Sequence, residues 1–298
     1  MQLFFGSPKT RPGPAQKLLV AAVALLFFGQ LTLYWTLHRW QSGAEKFLQT
    51  PTNILLLGVD EPNYNDQGEL ERPRTDTILF LAVRPALGRA ALFSIPRDSL
   101  IEIPGVGMER INMAHVYGGY ELTKTLVEKI MELPVDRYVM LDFRSFEGIV
   151  DLVGGVEVTV DRRMLYEDRS AGLRIDLLPG RQVLTGNQAL GYVRFRRDAL
   201  GDITRTRRQQ QFLAALANKL QEKETFLRVL GRFPELIRIS RDYLQTDLQF
   251  PELLGLYFFF KDLNLQEDLH TGTLPGEFSG PYWRLHPREI ELLTEAYR

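Results

Sequence analysis

Alternating blocks of apolar and polar residues predict a chain of strands and helices from about residue 53 onward. Ile54 to Val59 is a continuous apolar run, which is typical of a strand in the interior of a sheet. The pattern predicts further strands over Thr77–Val83, Ala90–Ile95, Val139–Phe143 and Val156–Val160, and an amphipathic helix over Glu121–Leu133. This alternation favours one α/β domain over residues 53–298.

The segment from Tyr192 to Gln211 carries six arginines in twenty residues. A period of two in Tyr-Val-Arg-Phe-Arg predicts a strand that places Arg194 and Arg196 on one face, together with Tyr192, and Val193 and Phe195 on the other. Planar guanidinium groups at this density suit a ligand rich in phosphate.

A helix is predicted to begin near Ile203, after the turn-like residues 197–202. Its apolar stripe contains Phe212, Leu213, Leu216 and Leu220, and Arg205, Arg208 and Gln209 fall on the same side, whereas Arg207 and Gln211 fall opposite. On a solvated basic face the arginines would lie opposite the leucines, so the pattern favours an anion site that faces the interior. Asp202 either caps this helix or orients Arg205.

Leu18 to Leu37 contains no charged residue and is long enough, at about 30 Å as a helix, to cross a bilayer. Three basic residues precede it and no Ala-x-Ala cleavage site follows, which favours an uncleaved anchor with a cytoplasmic N-terminus. The expected organisation is a short cytoplasmic tail over 1–17, a transmembrane helix over 18–37, a linker over 38–52 and an extracytoplasmic domain over 53–298.

Composition narrows the chemistry. The chain has 298 residues, a net charge of −1 and no cysteine, so disulfides, thiolate catalysis and cysteine metal sites are excluded. Its four histidines are too scattered for a zinc motif. Walker, nicotinamide-binding and Gly-x-Ser-x-Gly motifs are missing, and an outer domain of near-zero net charge disfavours nucleic acid as a partner.

Several polar residues lie beside predicted strand ends, where the ligand sites of α/β sheets gather. Asp60 and Asp76 are hard oxygen ligands that suit Mg²⁺, although capping or a salt bridge to Arg74 explains Asp76 equally well. Arg74, Arg97 and Arg110 add cationic groups that could surround a pyrophosphate together with the later arginines.

Two later segments are less specific. Leu253 to Phe260 predicts a very apolar helix, which fits core packing better than a lipid-lined slot. Thr273 to Trp283 has the composition of a loop and could close one edge of the sheet.

The motifs of the chain resemble those of the LytR-CpsA-Psr family of cell-envelope phosphotransferases. The matching stretches are Asn53–Asp60, Arg74–Ile78, Ser94–Asp98, Ile103–Gly105 with Arg110–Asn112, Gly118–Gly119, Leu152–Val156, Gln188–Arg196 and Gly201–Gln210. They run in the family order, and the segment near Pro275 to Trp283 is also similar. Val59, Thr75 and Arg110 depart from the residues that are usual in the family at these positions.

The resemblance implies a single α/β domain with helices around a central mixed sheet and an apolar tunnel for a polyprenyl chain. It implies transfer of a glycopolymer from a polyprenyl-pyrophosphate carrier to a peptidoglycan hydroxyl, with Mg²⁺ or Mn²⁺ as cofactor. Carried over residue by residue, Asp60 and Asp76 would hold the metal. The pyrophosphate would lie against Arg74, Arg97, Arg110, Arg194, Arg196, Arg205 and Gln209, with Asp202 behind them.

The transfer step would depend on Arg97, Arg194 and Arg196. The hydroxyl proton would pass to Asp76 or Asp98, between which the spacing does not decide, or the metal alone would activate the hydroxyl. Two other functions remain open from the sequence. One is a hydrolase that splits the pyrophosphate with water as acceptor, and the other is a non-catalytic protein that binds polyprenyl lipids.

Overall fold

A computed structural model of the chain describes residues 38–39, 41–60, 71–168, 173–195 and 202–298. Its strands are β1 (Thr52–Val59), β2 (Thr75–Arg84), β3 (Arg89–Ser94), β4 (Leu100–Ile103), β5 (Gly107–Arg110), β6 (Arg137–Leu141), β7 (Val156–Val160), β8 (Met164–Asp168), β9 (Leu173–Leu177), β10 (Gly180–Leu184), β11 (Leu244–Thr246), β12 (Leu269–Thr273), β13 (Gly276–Ser279) and β14 (Tyr282–Leu285). Its helices are α1 (41–47), α2 (Ala114–Met131), α3 (Phe143–Leu152), α4 (Gly186–Arg194), α5 (Asp202–Gln221), α6 (Lys223–Gly231), α7 (Phe233–Tyr243), α8 (Phe250–Asp262) and α9 (Pro287–Glu295).

The centre of the fold is a six-stranded mixed sheet in the order β11-β6-β1-β2-β3-β12. β1 pairs antiparallel with β2 and parallel with β6, and β12 pairs parallel with β3. β1 therefore lies in the interior of the sheet, as its continuous apolar run predicted. The predicted α/β fold and the strands expected near residues 54, 77, 90, 139 and 156 are confirmed.

One face of the sheet is closed by a tightly packed core. Alternate residues of β1 and β2, among them Leu55 and Phe80, pack there against Val127 and Met131 of α2 and Ile290 of α9. All five side chains are almost completely buried. Since a strand sends successive side chains to opposite faces, the intervening residues of β1 and β2 must be covered by other elements.

Two groups of elements cover the opposite face. Near the start of β1, Phe259 of α8 and Leu263, which follows α8, pack on Val83 and Ala90. The apolar stretch predicted over Leu253–Phe260 thus contributes Phe259 to the core, while Leu253 and Phe258 are exposed. Farther along, α3, α4 and α5 form a second cluster with β7 to β9, in which Phe212 is fully buried. This cluster stands off the sheet and leaves a cavity between them.

The strand predicted over Tyr192–Arg196 is wrong, because Tyr192 to Arg194 form the last turn of α4. The helix starts upstream at Thr185, whose backbone N–H donates to Oε1 of Gln188 at 3.0 Å in a capping box. Five alternating residues were too short a window to separate a strand from a helix end. Arg194 consequently lies at a helix C-terminus, where the helix dipole favours a cation.

The predicted direction of the arginines in α5 is confirmed for the described side chains. Arg207 and Gln211 are exposed and Arg208 is buried, as the helical periodicity required. The loop expected over residues 273–283 is wrong in part, since β13 and β14 form a hairpin there. The neighbouring strand β12 forms the edge of the sheet beside β3.

The transmembrane helix predicted over residues 18–37 lies outside the described residues. Within the part of the chain that the structure describes, no helix combines the length and the apolar character needed to cross a bilayer.

Candidate active site

A cavity of about 810 Å³ lies between the second face of the sheet and the helices α3, α4 and α5. Its size is within the range of small-molecule sites. The polar side chains that line it are Asp60, Arg74, Asp76, Thr77, Arg97, Asp98, Arg110, Asn112, Asp142, Tyr166, Arg194 and Gln209. The apolar ones are Leu56, Leu57, Val59, Leu79, Leu141, Phe143, Phe146, Leu190, Val193, Phe212 and Leu213.

Strand direction explains why these polar residues meet. β1 and β2 are antiparallel, so the end of β1 and the start of β2 lie at the same edge of the sheet. Asp60 follows β1 directly, and its backbone N–H donates to the carbonyl of Arg74 at 3.1 Å. β3 is antiparallel to β2 and β6 is parallel to β1, so Arg97 and Phe143, which follow those strands, reach the same edge.

Arg97 and Asp98 sit at the centre of a chain of ion pairs. Nη1 of Arg97 donates to both carboxylate oxygens of Asp76 at 2.9 Å, and its Nε lies 3.5 Å from Asp98. Nε of Arg110 lies 3.2 Å from the other oxygen of Asp98. Because these side chains retain 19% to 37% of their exposure, the pairs add little to stability. Their guanidinium groups remain accessible to an anion in the cavity.

Arg194 enters the cavity from the opposite wall. Its guanidinium carbon lies 4.2 Å from the ring centre of Phe143, the first residue of α3. This cation–π contact holds the guanidinium group against the aromatic ring at the wall of the cavity. Sequence reasoning missed Phe143, because it was expected as the last residue of the strand predicted over Val139–Phe143, whereas β6 ends at Leu141 and Phe143 is the first residue of α3.

Gln209 of α5 connects the helical wall to the sheet. Its Nε2 lies 3.3 Å from Oγ1 of Thr77 and 3.5 Å from the carbonyl of Val193. The amide therefore sits between β2 and the last turn of α4, as its predicted inward position required.

Arg208 points inward but does not line the cavity. It is 3% exposed and donates through Nη1 to the backbone carbonyls of Phe195 and Tyr192. Burial lowers the pKa of its guanidinium below the usual value. The guanidinium group of Arg208 therefore connects α5 to the C-terminal end of α4. Helical periodicity shows only that the side chain points inward, which does not distinguish a structural contact from ligand binding.

Of the eleven residues expected at the site, eight line this cavity: Asp60, Arg74, Asp76, Arg97, Asp98, Arg110, Arg194 and Gln209. The side chains of the other three, Arg196, Asp202 and Arg205, are not among those that the structure describes. Arg196 lies outside the described residues, and Asp202 and Arg205 belong to α5 with side chains outside the description. Asn112 was not assigned a role, yet it lines the cavity with its Oδ1 buried and without a hydrogen-bond partner among the described residues.

The donor set at the sheet edge fits a hard divalent cation in part. Asp60 and Asp76 bring two carboxylates to the same cavity, and Mg²⁺ commonly uses one or two carboxylates completed by phosphate oxygens and water. Among the described residues there is no group of three or more acidic, histidine or cysteine side chains that could form a closed metal site. The arrangement is therefore compatible with a metal that binds together with a phosphorylated ligand.

Comparison with known proteins gives a consistent result. A family model described as the LytR_cpsA_psr family matches residues 41–292. The chain is 30% identical over 242 residues to the polyisoprenyl-teichoic acid–peptidoglycan teichoic acid transferase TagT of Bacillus subtilis (strain 168). That match covers 80% of this chain and 73% of the relative.

Two solved structures share the fold. "TagT bound to LIIa-WTA" superimposes with a TM-score of 0.66 at 27% identity, covering 84% of this chain and 91% of the other. "LytR-CPS2A-psr family protein YwtF (TagT) with bound octaprenyl pyrophosphate lipid" gives a TM-score of 0.60 at 27% identity, covering 84% and 90% of the two chains.

Proposed function

This chain belongs to the LytR-CpsA-Psr family, and on that premise we propose that it transfers a glycopolymer from a polyprenyl-pyrophosphate carrier to a peptidoglycan hydroxyl, forming a phosphodiester. The observation that carries the proposal is the division of one cavity into a charged end and an apolar end. Arginines and aspartates gather at the sheet edge, and leucine, valine and phenylalanine side chains line the rest.

A carrier of this kind has the same division. Its pyrophosphate is a compact, multiply charged group, and its prenyl chain is apolar. A cavity that was charged throughout would expose the prenyl chain to polar groups, and one that was apolar throughout would leave the phosphates without partners. The apolar lining, from Leu56 and Leu79 of the sheet to Phe212 and Leu213 of α5, supports a tunnel for the prenyl chain.

The reaction is a single displacement at phosphorus. The acceptor hydroxyl oxygen bonds to the phosphorus that carries the glycan, and the bond from that phosphorus to the bridging oxygen of the pyrophosphate breaks. Polyprenyl phosphate leaves with the bonding electron pair. The hydroxyl proton passes to one of two carboxylates at the charged end, Asp76 or Asp98.

Arginine has the main role in this step. Arg97, Arg110 and Arg194 provide guanidinium groups from three separate elements of the fold, so they can contact oxygens on several sides of a pyrophosphate. Such contacts align the donor and stabilise charge on the departing phosphate. Arg196 and Arg205 extend the same cluster in our proposal, with Asp202 behind them.

Asp60 and Asp76 would hold a Mg²⁺ or Mn²⁺ ion beside the pyrophosphate, where the ion would neutralise phosphate charge. The pairing of Asp76 with Arg97 keeps this carboxylate at the charged end of the cavity. In the proposed cell-envelope setting, residues 18–37 cross the membrane and the domain faces outward, where lipid-linked donors and peptidoglycan meet.

The test compares Arg97→Ala and Arg194→Ala with a matched control, Arg207→Ala, an exposed arginine outside the cavity. Full-length protein would be incubated with a lipid-linked glycan donor, Mg²⁺ and peptidoglycan, and glycan attached to peptidoglycan would be measured by mass spectrometry. We expect each cavity variant to lose about 10²-fold or more in transfer, as for removal of one transition-state donor. Arg207→Ala should retain its activity.

Several outcomes would overturn the proposal or a part of it. Glycan release at the same rate without peptidoglycan would identify a hydrolase, and donor binding without any turnover in Mg²⁺ would identify a carrier protein. Full activity of the double variant Arg97→Ala with Arg194→Ala would show that the pyrophosphate binds elsewhere. Chelation of the divalent cation should abolish transfer, and unchanged activity in chelator would exclude the metal.

A further inference from the structure

Helices α6 and α7 carry large apolar side chains that face solvent. Phe226, Leu227, Leu230, Phe233 and Ile237 are between 38% and 59% exposed. We call these five residues the exposed stripe. Single exposed apolar residues are ordinary on protein surfaces, but a contiguous row on one helical face marks an interaction site.

The two helices meet at Arg232, which follows α6 and precedes α7 with a backbone outside the helical region. The backbone N–H of Arg232 donates to the carbonyl of Arg228, and the N–H of Leu236 donates to the carbonyl of Arg232, so the helices remain adjacent. With 3.6 residues per turn, Phe226 and Leu230 fall about 40° apart on α6, and Phe233 and Ile237 do the same on α7, so each helix presents an apolar row to solvent.

This stripe is separate from the face with which the helices pack on the domain. Thr225 and Ile239 are buried, Val229 packs into the cluster around α4 and α5, and Ile239 contacts Gly148 of α3. These inward residues lie about 80° or more from the centre of the apolar row on their own helix. A surface helix needs only one apolar face for folding, so the second face is unexplained by the fold.

Charge is distributed around the stripe unevenly. Lys223 and Arg241 fall within about 60° of the apolar row of their own helix, whereas Glu224, Glu235 and also Arg228 fall more than about 130° away, and Arg232 pairs with Glu235, so the charges closest to the stripe are basic. An apolar row with flanking basic residues is the pattern of a helix that lies in the interface of an anionic membrane.

The position of the stripe relative to the start of the domain also supports a membrane as its binding partner. The ring of Phe226 stacks on Tyr257 of α8, with centroids 4.9 Å apart. The first half of α8 packs tightly on α1, where a side chain at Gly255 would lie 2.8 Å from the ring of Phe47. α1 follows closely after residue 37, the last residue of the predicted span. The start of the stripe therefore contacts α8, the helix that packs on α1, and α1 is the first helix after the predicted span.

We propose that the exposed stripe lies in the interfacial region of the anionic bilayer that residues 18–37 cross, and that α6 and α7 form a second, in-plane attachment. The predicted span alone would tether the domain at a single point. A second attachment would fix the orientation of the domain relative to the lipid surface. This inference rests on the proposed membrane span over residues 18–37, but it does not depend on the proposed transferase reaction.

The chain contains no cysteine, so one introduced cysteine can be labelled without removing another. We would place an environment-sensitive fluorophore on Leu230→Cys and, separately, on Ile237→Cys in the full-length protein. Leu292→Cys on α9, at an exposed leucine away from the stripe, is the matched control. The proteins would be reconstituted into phosphatidylglycerol and phosphatidylethanolamine vesicles that contain a lipid with a doxyl quencher on its acyl chain.

We expect a blue shift and loss of most of the emission at positions 230 and 237, with neither change at position 292. Quenching no stronger at the stripe than at position 292 would overturn the proposal. A blue shift without lipid quenching would also overturn it, because a protein partner would then cover the stripe. Replacing phosphatidylglycerol by phosphatidylcholine should weaken quenching, and an unchanged signal would remove the basic flank from the proposal.

Discussion

The two faces of the central sheet are built from alternate residues of the same strands but differ in how they are covered. Leu55 faces a core that α2 and α9 fill, whereas its neighbour Leu56 faces the cavity. The first face is closed by direct packing. The second is spanned by helices α3 to α5, which hold their own core and stand away from the strands.

The packed face therefore contributes mainly to stability, and the open face mainly to ligand binding. On the packed face, side chains are buried among other side chains, so their removal leaves a void that costs free energy. On the open face, space already exists and the lining side chains remain available to a ligand. The charged end of the cavity is formed by residues next to the ends of β1, β2, β3 and β6. The positions of these residues therefore depend on the packing that holds the four strands in place on the other face of the sheet.

The largest effect is expected from replacing each of the two neighbouring leucines, Leu55 and Leu56, with alanine in separate variants. Leu55→Ala should lower the free energy of unfolding by about 3 kcal/mol or more, because it creates a cavity in a filled core. Leu56→Ala should cost about 1 kcal/mol, since Leu56 is only partly buried and lines an existing cavity. Urea denaturation of both variants provides the measurement. Equal losses would mean that the two faces are packed alike.

A smaller effect is expected from filling the cavity. Val193→Trp should weaken binding of octaprenyl pyrophosphate about tenfold, equivalent to about 1.4 kcal/mol, because the indole would occupy space along the apolar lining. Val183→Trp, at an exposed valine outside the cavity, is the matched control. Titration calorimetry with the lipid should separate them. Unchanged affinity of Val193→Trp would place the prenyl chain outside this cavity.

The smallest effect concerns His115, which joins the packed helix α2 to the segment before β2. Its Nδ1 lies 2.7 Å from the carbonyl of Pro73, so this nitrogen carries the proton of the neutral ring and donates it to the carbonyl. Burial lowers the pKa of His115 below its usual 6.5. The folded state therefore disfavours the charged ring, and stability that is present above pH 6.5 should fall as the pH drops below that value.

The loss of stability below pH 6.5 should vanish in His115→Gln, whose side chain does not titrate. Denaturation curves of both proteins at several pH values measure this difference. The same slope in the variant would assign the pH dependence to other groups.

Features that depend on residues close in sequence could be predicted, whereas contacts between residues distant in sequence could not. The phase of α5 was predictable because helical periodicity is local, and Arg207 and Arg208 indeed face opposite directions. What Arg208 contacts was not predictable, because its partners are carbonyls of α4 more than ten residues away. Gln209, one residue later, reaches the cavity instead.

The error at Tyr192 to Arg196 has a similar origin. Alternation over five residues is compatible with a strand and with a helix end, and the capping box at Thr185 lay outside that window. Phe143 was missed because it was predicted to lie in the strand Val139–Phe143, where an aromatic ring ordinarily belongs to the core. Only its position under Arg194 makes it part of the site.

The amino-acid sequence by itself determined the apolar strands, the inward side of α5, the ordered motifs of the family and the kinds of charged group available to a ligand. Tertiary structure decided which of these groups meet. Arg97 contacts Asp76 across 21 positions of sequence, and Arg194 reaches the same cavity from another helix. Such encounters depend on strand order and register, which arise from long-range pairing that no local pattern encodes.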